Sequence, residues 1–68
     1  MIAKDAAVQV VSARKRWAVL RSGATRAYRL FGDEAEAVAF AEQWARRLGV
    51  TRYCHRRDGT VRAKDDFR

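Results

Sequence analysis

The sequence predicts an α+β domain in which a curved, mainly antiparallel sheet carries one helix on one face. Three observations predict this class. The chain has only 68 residues, which leaves room for one sheet layer and one helix layer. Short runs of strand-forming residues alternate with turn residues, and a single segment has helical periodicity. The connections around that segment are of hairpin length, so the predicted order is β-β-β-α-β-β in a single domain over residues 1–68.

Three strands are predicted before the helix and two after it, at residues 7–11, 17–21, 26–31, 50–55 and 60–63. These segments are rich in the β-branched and aromatic residues that favour strands. Gly23 ends the second segment, and Asp58-Gly59 is a hairpin signal between the last two. Residues 1–5 and 65–68 are predicted to be loose termini.

The helix is predicted over about residues 33–48. Asp33 and Glu36 have the spacing of a capping box, and Gly49 offers a left-handed stop. Apolar residues recur at steps of three and four and form one stripe: Ala37, Phe40, Ala41, Trp44, Ala45 and Leu48. The stripe is expected to face the sheet, with Trp44 as the central core residue.

The charge is strongly positive and unevenly placed. Fifteen basic side chains oppose eight acidic ones, a formal net charge of +7. Residues 33–48 hold four acidic and two basic side chains, a net −2, so the rest of the chain holds thirteen basic and four acidic, a net +9. Arginine, whose planar fork matches phosphate, supplies twelve of the bases. An anion-binding surface and a solvated basic surface both remain open, because a GC-rich genome would also favour arginine.

The residue types argue against an enzyme. Cys54 and His55 are the only cysteine and histidine, and adjacent strand residues point to opposite faces, so they cannot form a nucleophile–base pair or hold one metal ion together. The glycines are scattered and form no phosphate loop. We therefore expect no catalysis, no metal and no cofactor, with Cys54 in the core. His55 is expected either to form a hydrogen bond near the Asp58-Gly59 turn or to contact phosphate.

The composition also predicts the cellular compartment of the protein and whether it associates with a membrane. One cysteine cannot form an internal disulfide, which favours a reducing, cytoplasmic location. The longest uncharged stretch, residues 6–13, is far shorter than the roughly 20 apolar residues of a membrane span. No membrane partner is expected.

Several short motifs, taken in order, resemble a bacterial family known as domain of unknown function 2188. They are Val8-Gln9-Val10-Val11, Trp17-Ala18-Val19, Gly23 with Arg26-Ala27, Glu36-Ala37, Gly49, His55-Arg56-Arg57-Asp58-Gly59 and Asp65-Asp66-Phe67. The chain departs from the family pattern in having Ser12-Ala13 where a proline is usual, Arg16 before the tryptophan and Phe67-Arg68 at the tail. The resemblance runs from about residue 8 to residue 67. It implies a small βα module and no assigned reaction.

The basic residues form the only group in the sequence that resembles a binding site. The hypothesis is nucleic-acid binding, to DNA or RNA, through phosphate contacts from the sheet and its hairpins. The predicted contact residues fall in two groups, one near each hairpin: Arg21, Arg26 and Arg29, and then Arg52, His55, Arg56, Arg57 and Arg62. Tyr28 and Tyr53 are either core residues or platforms on which bases stack.

A second hypothesis comes from another class of protein. The sheet face opposite the helix has nothing predicted to cover it, so it could pair with a second copy in a homodimer or bind an acidic protein. A solvated basic edge that only discourages aggregation remains the simplest explanation for any single arginine.

Overall fold

The computed structural model describes residues 7–24 and 26–67. They form five strands and one helix in the predicted order. The elements are β1 (Ala7–Ala13), β2 (Arg16–Arg21), β3 (Arg29–Phe31), α1 (Glu34–Leu48), β4 (Thr51–His55) and β5 (Val61–Asp66). The predicted α+β class is confirmed.

The sheet is mixed, with strand order β3-β2-β1-β4-β5. β1 lies at the centre and pairs in parallel with β4, while the other three pairings are antiparallel. The parallel pair arises because α1 carries the chain back from the end of β3 to the opposite end of the sheet before β4 begins. β1 and β4 therefore point the same way.

The core lies between α1 and one face of the sheet. Val8 and Val10 of β1 and Val19 of β2 are fully buried there. The helix meets them with its fully buried alanines, Ala37, Ala41 and Ala45. Their methyl groups let the helix approach the sheet closely, and the burial supplies the main stabilisation of so small a domain.

Trp44 is not the central core residue, and that prediction was wrong. Its side chain is half-buried and packs at the border of the core, as do Phe40 and Leu48. The buried tryptophan is Trp17 of β2. The alanines repeat at every fourth residue and occupy the middle of the stripe, so the larger side chains fall on its flank.

The helix begins and ends close to the predicted residues, but the capping interactions at its start differ from prediction. The helix begins after Asp33, but the Asp33 side chain makes no capping hydrogen bond, so the predicted capping box is absent. The start depends instead on the bond from the Ala37 N–H to the Asp33 carbonyl and on Glu34 and Glu36 near the positive end of the helix. Gly49 adopts φ +69°, the predicted left-handed stop.

Two further boundaries differ from prediction. The third strand spans only Arg29–Phe31 rather than residues 26–31. The last strand continues through Asp66, and Phe67 packs against the core while its N–H donates to the Val50 carbonyl. Residues 65–67 are therefore not a loose terminus; residues 1–5 and 68 lie outside the described residues. The tail is held because Phe67 brings apolar surface to the core.

Candidate functional site

The two hairpin turns lie at the same end of the sheet. β1 and β4 run parallel, and each is followed by a tight turn. A contact between the turns shows how close they are: Nη1 of Arg57 donates to the Arg14 carbonyl over 3.5 Å. The Arg57 guanidinium also lies 5.0 Å from the centre of the Trp17 ring, within the range of a cation–π interaction. Arg57 thus links the second hairpin to the first.

We call this surface the basic hairpin end. It consists of five exposed cations: Arg14, Lys15, Arg16, Arg56 and Arg57. Asp58 is the one carboxylate in the two turns, so the surface carries a net charge of +4. In the described part of the chain the side chains of Arg14, Lys15 and Arg16 make no hydrogen bond or ion pair. Their donors are therefore available to an anion.

The first turn holds an arginine in an unfavourable conformation. Arg14 has φ +59° and is the only non-glycine residue with a positive φ among the residues described. A left-handed residue that is not glycine costs roughly 1–2 kcal/mol, and Asn or Gly would be the relaxed choice in a two-residue hairpin turn. The first turn therefore has a cation at a position where turn chemistry alone would favour another residue.

The second turn is ordered by its own side chains. The Asp58 carboxylate accepts hydrogen bonds from the Thr60 N–H at 2.9 Å and from its hydroxyl at 2.7 Å. These bonds, the backbone one first, hold the pKa of Asp58 below its ordinary value. Arg56 donates to the Val61 carbonyl over 3.0 Å. These hydrogen bonds order the backbone of the turn that carries Arg56 and Arg57.

Arg52, one of the predicted contact residues, is buried and paired within the domain, unlike the exposed cations of the basic hairpin end. Its side chain is buried between α1 and β5, where it donates to Glu42 over 3.2 Å and to Asp65. Burial alone would lower the pKa of the Arg52 guanidinium, but the Asp65 hydrogen bond and the neighbouring negative charges outweigh it and the pKa is raised. All of this makes Arg52 a structural cation.

Three other predicted arginines divide between the helix layer and the far end of the sheet. Arg62 forms an ion pair with Glu34 at 2.7 Å. Arg21 and Arg26 are exposed and flank the β2–β3 connection, which starts at the end of the sheet opposite the basic hairpin end. The two predicted groups are therefore not brought together.

His55 and Cys54 occupy opposite sheet faces, as predicted. His55 Nε2 lies 2.9 Å from Oε1 of Gln9 and its Nδ1 lies 3.2 Å from the Gly59 carbonyl oxygen. Its predicted bond near the Asp58-Gly59 turn is confirmed, and it joins β4 to β1 on the face that the helix leaves uncovered. Cys54 is buried in the core, and that burial raises the pKa of its thiol.

The contact residues predicted from the sequence did not include Arg14, Lys15 or Arg16. The run Arg14-Lys15-Arg16 was visible as a charge cluster. The sequence alone did not show that this run lies beside Arg57, because their proximity depends on the parallel pairing of β1 with β4.

Fold and site define a small helix-backed sheet with a cluster of exposed cations at its hairpin end. The described residues contain no group of three or more metal-ligating side chains, and their helix is neither long nor apolar enough to cross a membrane. The chain belongs to a bacterial family described as uncharacterized protein conserved in bacteria (DUF2188), whose family model matches residues 8–67. No curated protein and no solved structure matches it significantly.

Proposed function

We propose that the domain binds nucleic acid through the basic hairpin end, by phosphate contacts with little base readout. The observation that supports this most directly is the contact of Arg57 with Trp17 and the Arg14 carbonyl. It joins two turns that are remote in sequence into one cationic surface.

The physical basis is electrostatic. A surface of net charge +4 attracts a polyanion, and each phosphate it neutralises releases condensed counterions. Guanidinium groups match phosphate oxygens in pairs, so arginine adds geometry to the attraction. The acidic residues that start α1 belong to the helix layer, and Glu34 among them is neutralised by Arg62. The five cations of the basic hairpin end all belong to the sheet layer.

The first experiment is a salt titration of binding to a DNA duplex, followed by fluorescence anisotropy. We expect binding at low salt that weakens steeply as salt rises. About four phosphate contacts would give a log–log slope near −3 to −4. Absence of binding at low salt would reject the proposal.

The localised site is tested by the double variant Lys15→Gln and Arg16→Gln. Both side chains are exposed and make no described hydrogen bond or ion pair, so the fold should tolerate the change. The slope should become shallower by about 2, because each lost phosphate contact removes about 1. The control, Arg21→Gln with Arg46→Gln, removes the same charge from the far end of β2 and from the last turn of α1, where Arg46 pairs with Glu42, and should leave the slope unchanged. Equal losses in both variants would mean that net charge alone drives binding.

A second candidate function is association through the uncovered sheet face. Leu30 and Val61 lie on that face with 48% and 50% of their surface exposed, and apolar surface of this kind favours a partner. The partner would be a second copy or an acidic protein. The mass in solution distinguishes the first case: a dimer that Val61→Lys converts to monomer supports it, and a monomer at high concentration rejects it.

A further inference from the structure

Four aromatic side chains form a cluster where β3 meets α1. The Tyr28 ring lies 4.4 Å from Trp44 and 6.0 Å from Phe40, centre to centre, and Phe31 lies 5.4 Å from Phe40. These contacts are on the helix side of the sheet, far from the uncovered face. Tyr28 is nevertheless 66% exposed, the most exposed of the large apolar side chains in the described residues.

The position of Tyr28 is fixed from two directions. Its ring is inclined at 31° to Trp44 and rests against it, so one side of the ring is covered and the remainder faces solvent. Its backbone N–H donates to the Val19 carbonyl over 2.8 Å. The ring is therefore held before any ligand arrives, which reduces the entropy lost on binding.

One arginine contacts the aromatic cluster, and two more lie close to it along the chain. The Arg29 guanidinium lies 5.3 Å from the centre of the Phe31 ring and 5.5 Å from that of Phe40. Arg26 is exposed two residues before Tyr28, and Arg47 is exposed one helical turn after Trp44. We call Tyr28 with these three arginines the Tyr28 patch. An exposed aromatic ring bordered by arginines is how proteins bind the bases and phosphates of an unpaired strand.

We propose that the Tyr28 patch stacks one unpaired base of a single-stranded nucleic acid, with its arginines contacting the adjoining phosphates. This rests on the proposed function and adds to it a preference for single strands. The bases of a duplex are stacked on one another and cannot reach the ring, whereas the basic hairpin end takes phosphates from either form.

The experiment compares Tyr28→Ala with Tyr28→Phe, using labelled oligothymidine and a DNA duplex as probes. Tyr28→Ala should weaken oligothymidine binding about tenfold through the loss of one stacked base. Its duplex affinity should stay within twofold of the original protein. Tyr28→Phe keeps the ring and should retain single-strand binding, provided that thermal melting shows both variants folded.

Two controls make the result specific. Tyr53→Ala removes the other tyrosine, which lies on the uncovered face beside Lys64, and should leave oligothymidine binding unchanged. An abasic oligonucleotide with the same number of phosphates should bind the original protein and Tyr28→Ala equally. The tryptophan emission of the protein, which includes that of Trp44 in contact with Tyr28, should be quenched more by oligothymidine than by the abasic strand.

The inference and the proposed function fail in different ways. If Tyr28→Ala binds oligothymidine as tightly as the original protein, or if Tyr53→Ala loses as much, base stacking at the Tyr28 patch is wrong. The hairpin-end proposal still stands in that case, because it depends on the salt slope of duplex binding. If quenching is the same with and without bases, the inference is also overturned.

Discussion

At the scale of single residues, Arg52 is a charged side chain buried at the border of this small core. Its guanidinium lies below the surface and donates to the Val38 carbonyl, Glu42 and Asp65. Its Nε is buried without a partner among the described atoms. The two carboxylates are about half exposed, so they lose little hydration while they compensate the buried cation. The side chain of Arg52 thus links α1 to β5.

We expect Arg52→Ala to lower the free energy of unfolding by about 2–4 kcal/mol, because packing and three hydrogen bonds are lost together. Chemical denaturation measures this directly. Arg62→Ala is the matched control: its ion pair with Glu34 is exposed, so its cost should be below about 1 kcal/mol. A loss as small for Arg52 as for Arg62 would contradict the structural assignment.

At the scale of elements, the alanines of α1 decide how the helix meets the sheet. Ala37, Ala41 and Ala45 are all fully buried. Helix propensity alone would explain their number, since alanine is the best helix former. Their burial adds a second reason, because larger side chains at these positions would push the helix away from Val10 and Val19.

Ala41→Leu should therefore destabilise the domain by about 1–3 kcal/mol through overpacking. The control Ala39→Leu makes the same change on the exposed side of the helix and should stay within about 0.5 kcal/mol of the original protein. Thermal melting of both variants tests the packing. Stabilisation by Ala41→Leu would show that the helix–sheet interface has spare room.

At the scale of the whole molecule, salt should have two opposite effects. A net charge of +7 on 68 residues makes the folded chain repel itself. Salt screens that repulsion, and it also screens the attraction of the basic hairpin end for a polyanion. Few of the cations are neutralised by ion pairs within the described residues, so repulsion should outweigh the loss of those pairs.

The melting temperature of the free protein should rise by a few degrees as salt increases, since 1 kcal/mol corresponds to about 4–8 °C for a domain of this size. Calorimetry without nucleic acid measures the shift. In the presence of nucleic acid at low salt, the melting temperature should instead fall as salt is added, because the stabilising ligand dissociates. A free protein that melts at lower temperature in high salt would show that its ion pairs dominate its electrostatics.

Much of the fold could be predicted locally. The Asp33 start signal, the periodicity of residues 37–48 and the glycine at 49 placed the helix within one residue of its observed span, Glu34–Leu48, although the predicted capping hydrogen bond did not form. The Asp58-Gly59 signal placed the last hairpin, and the alternation of strand side chains correctly separated Cys54 from His55. Each of these depends on contacts between residues close in sequence.

Composition and local pattern determined the class of this protein, which in its described residues has one helix, five short strands and a cationic surface, on a chain with one thiol. Only the tertiary structure decided which cations act together. Arg52 is buried and pairs with Glu42 and Asp65. Arg14 lies beside Arg57, which is 43 positions away in the sequence. The physical reason is that strand order and the parallel pairing of β1 with β4 depend on how the whole chain buries its apolar faces, which no local segment encodes.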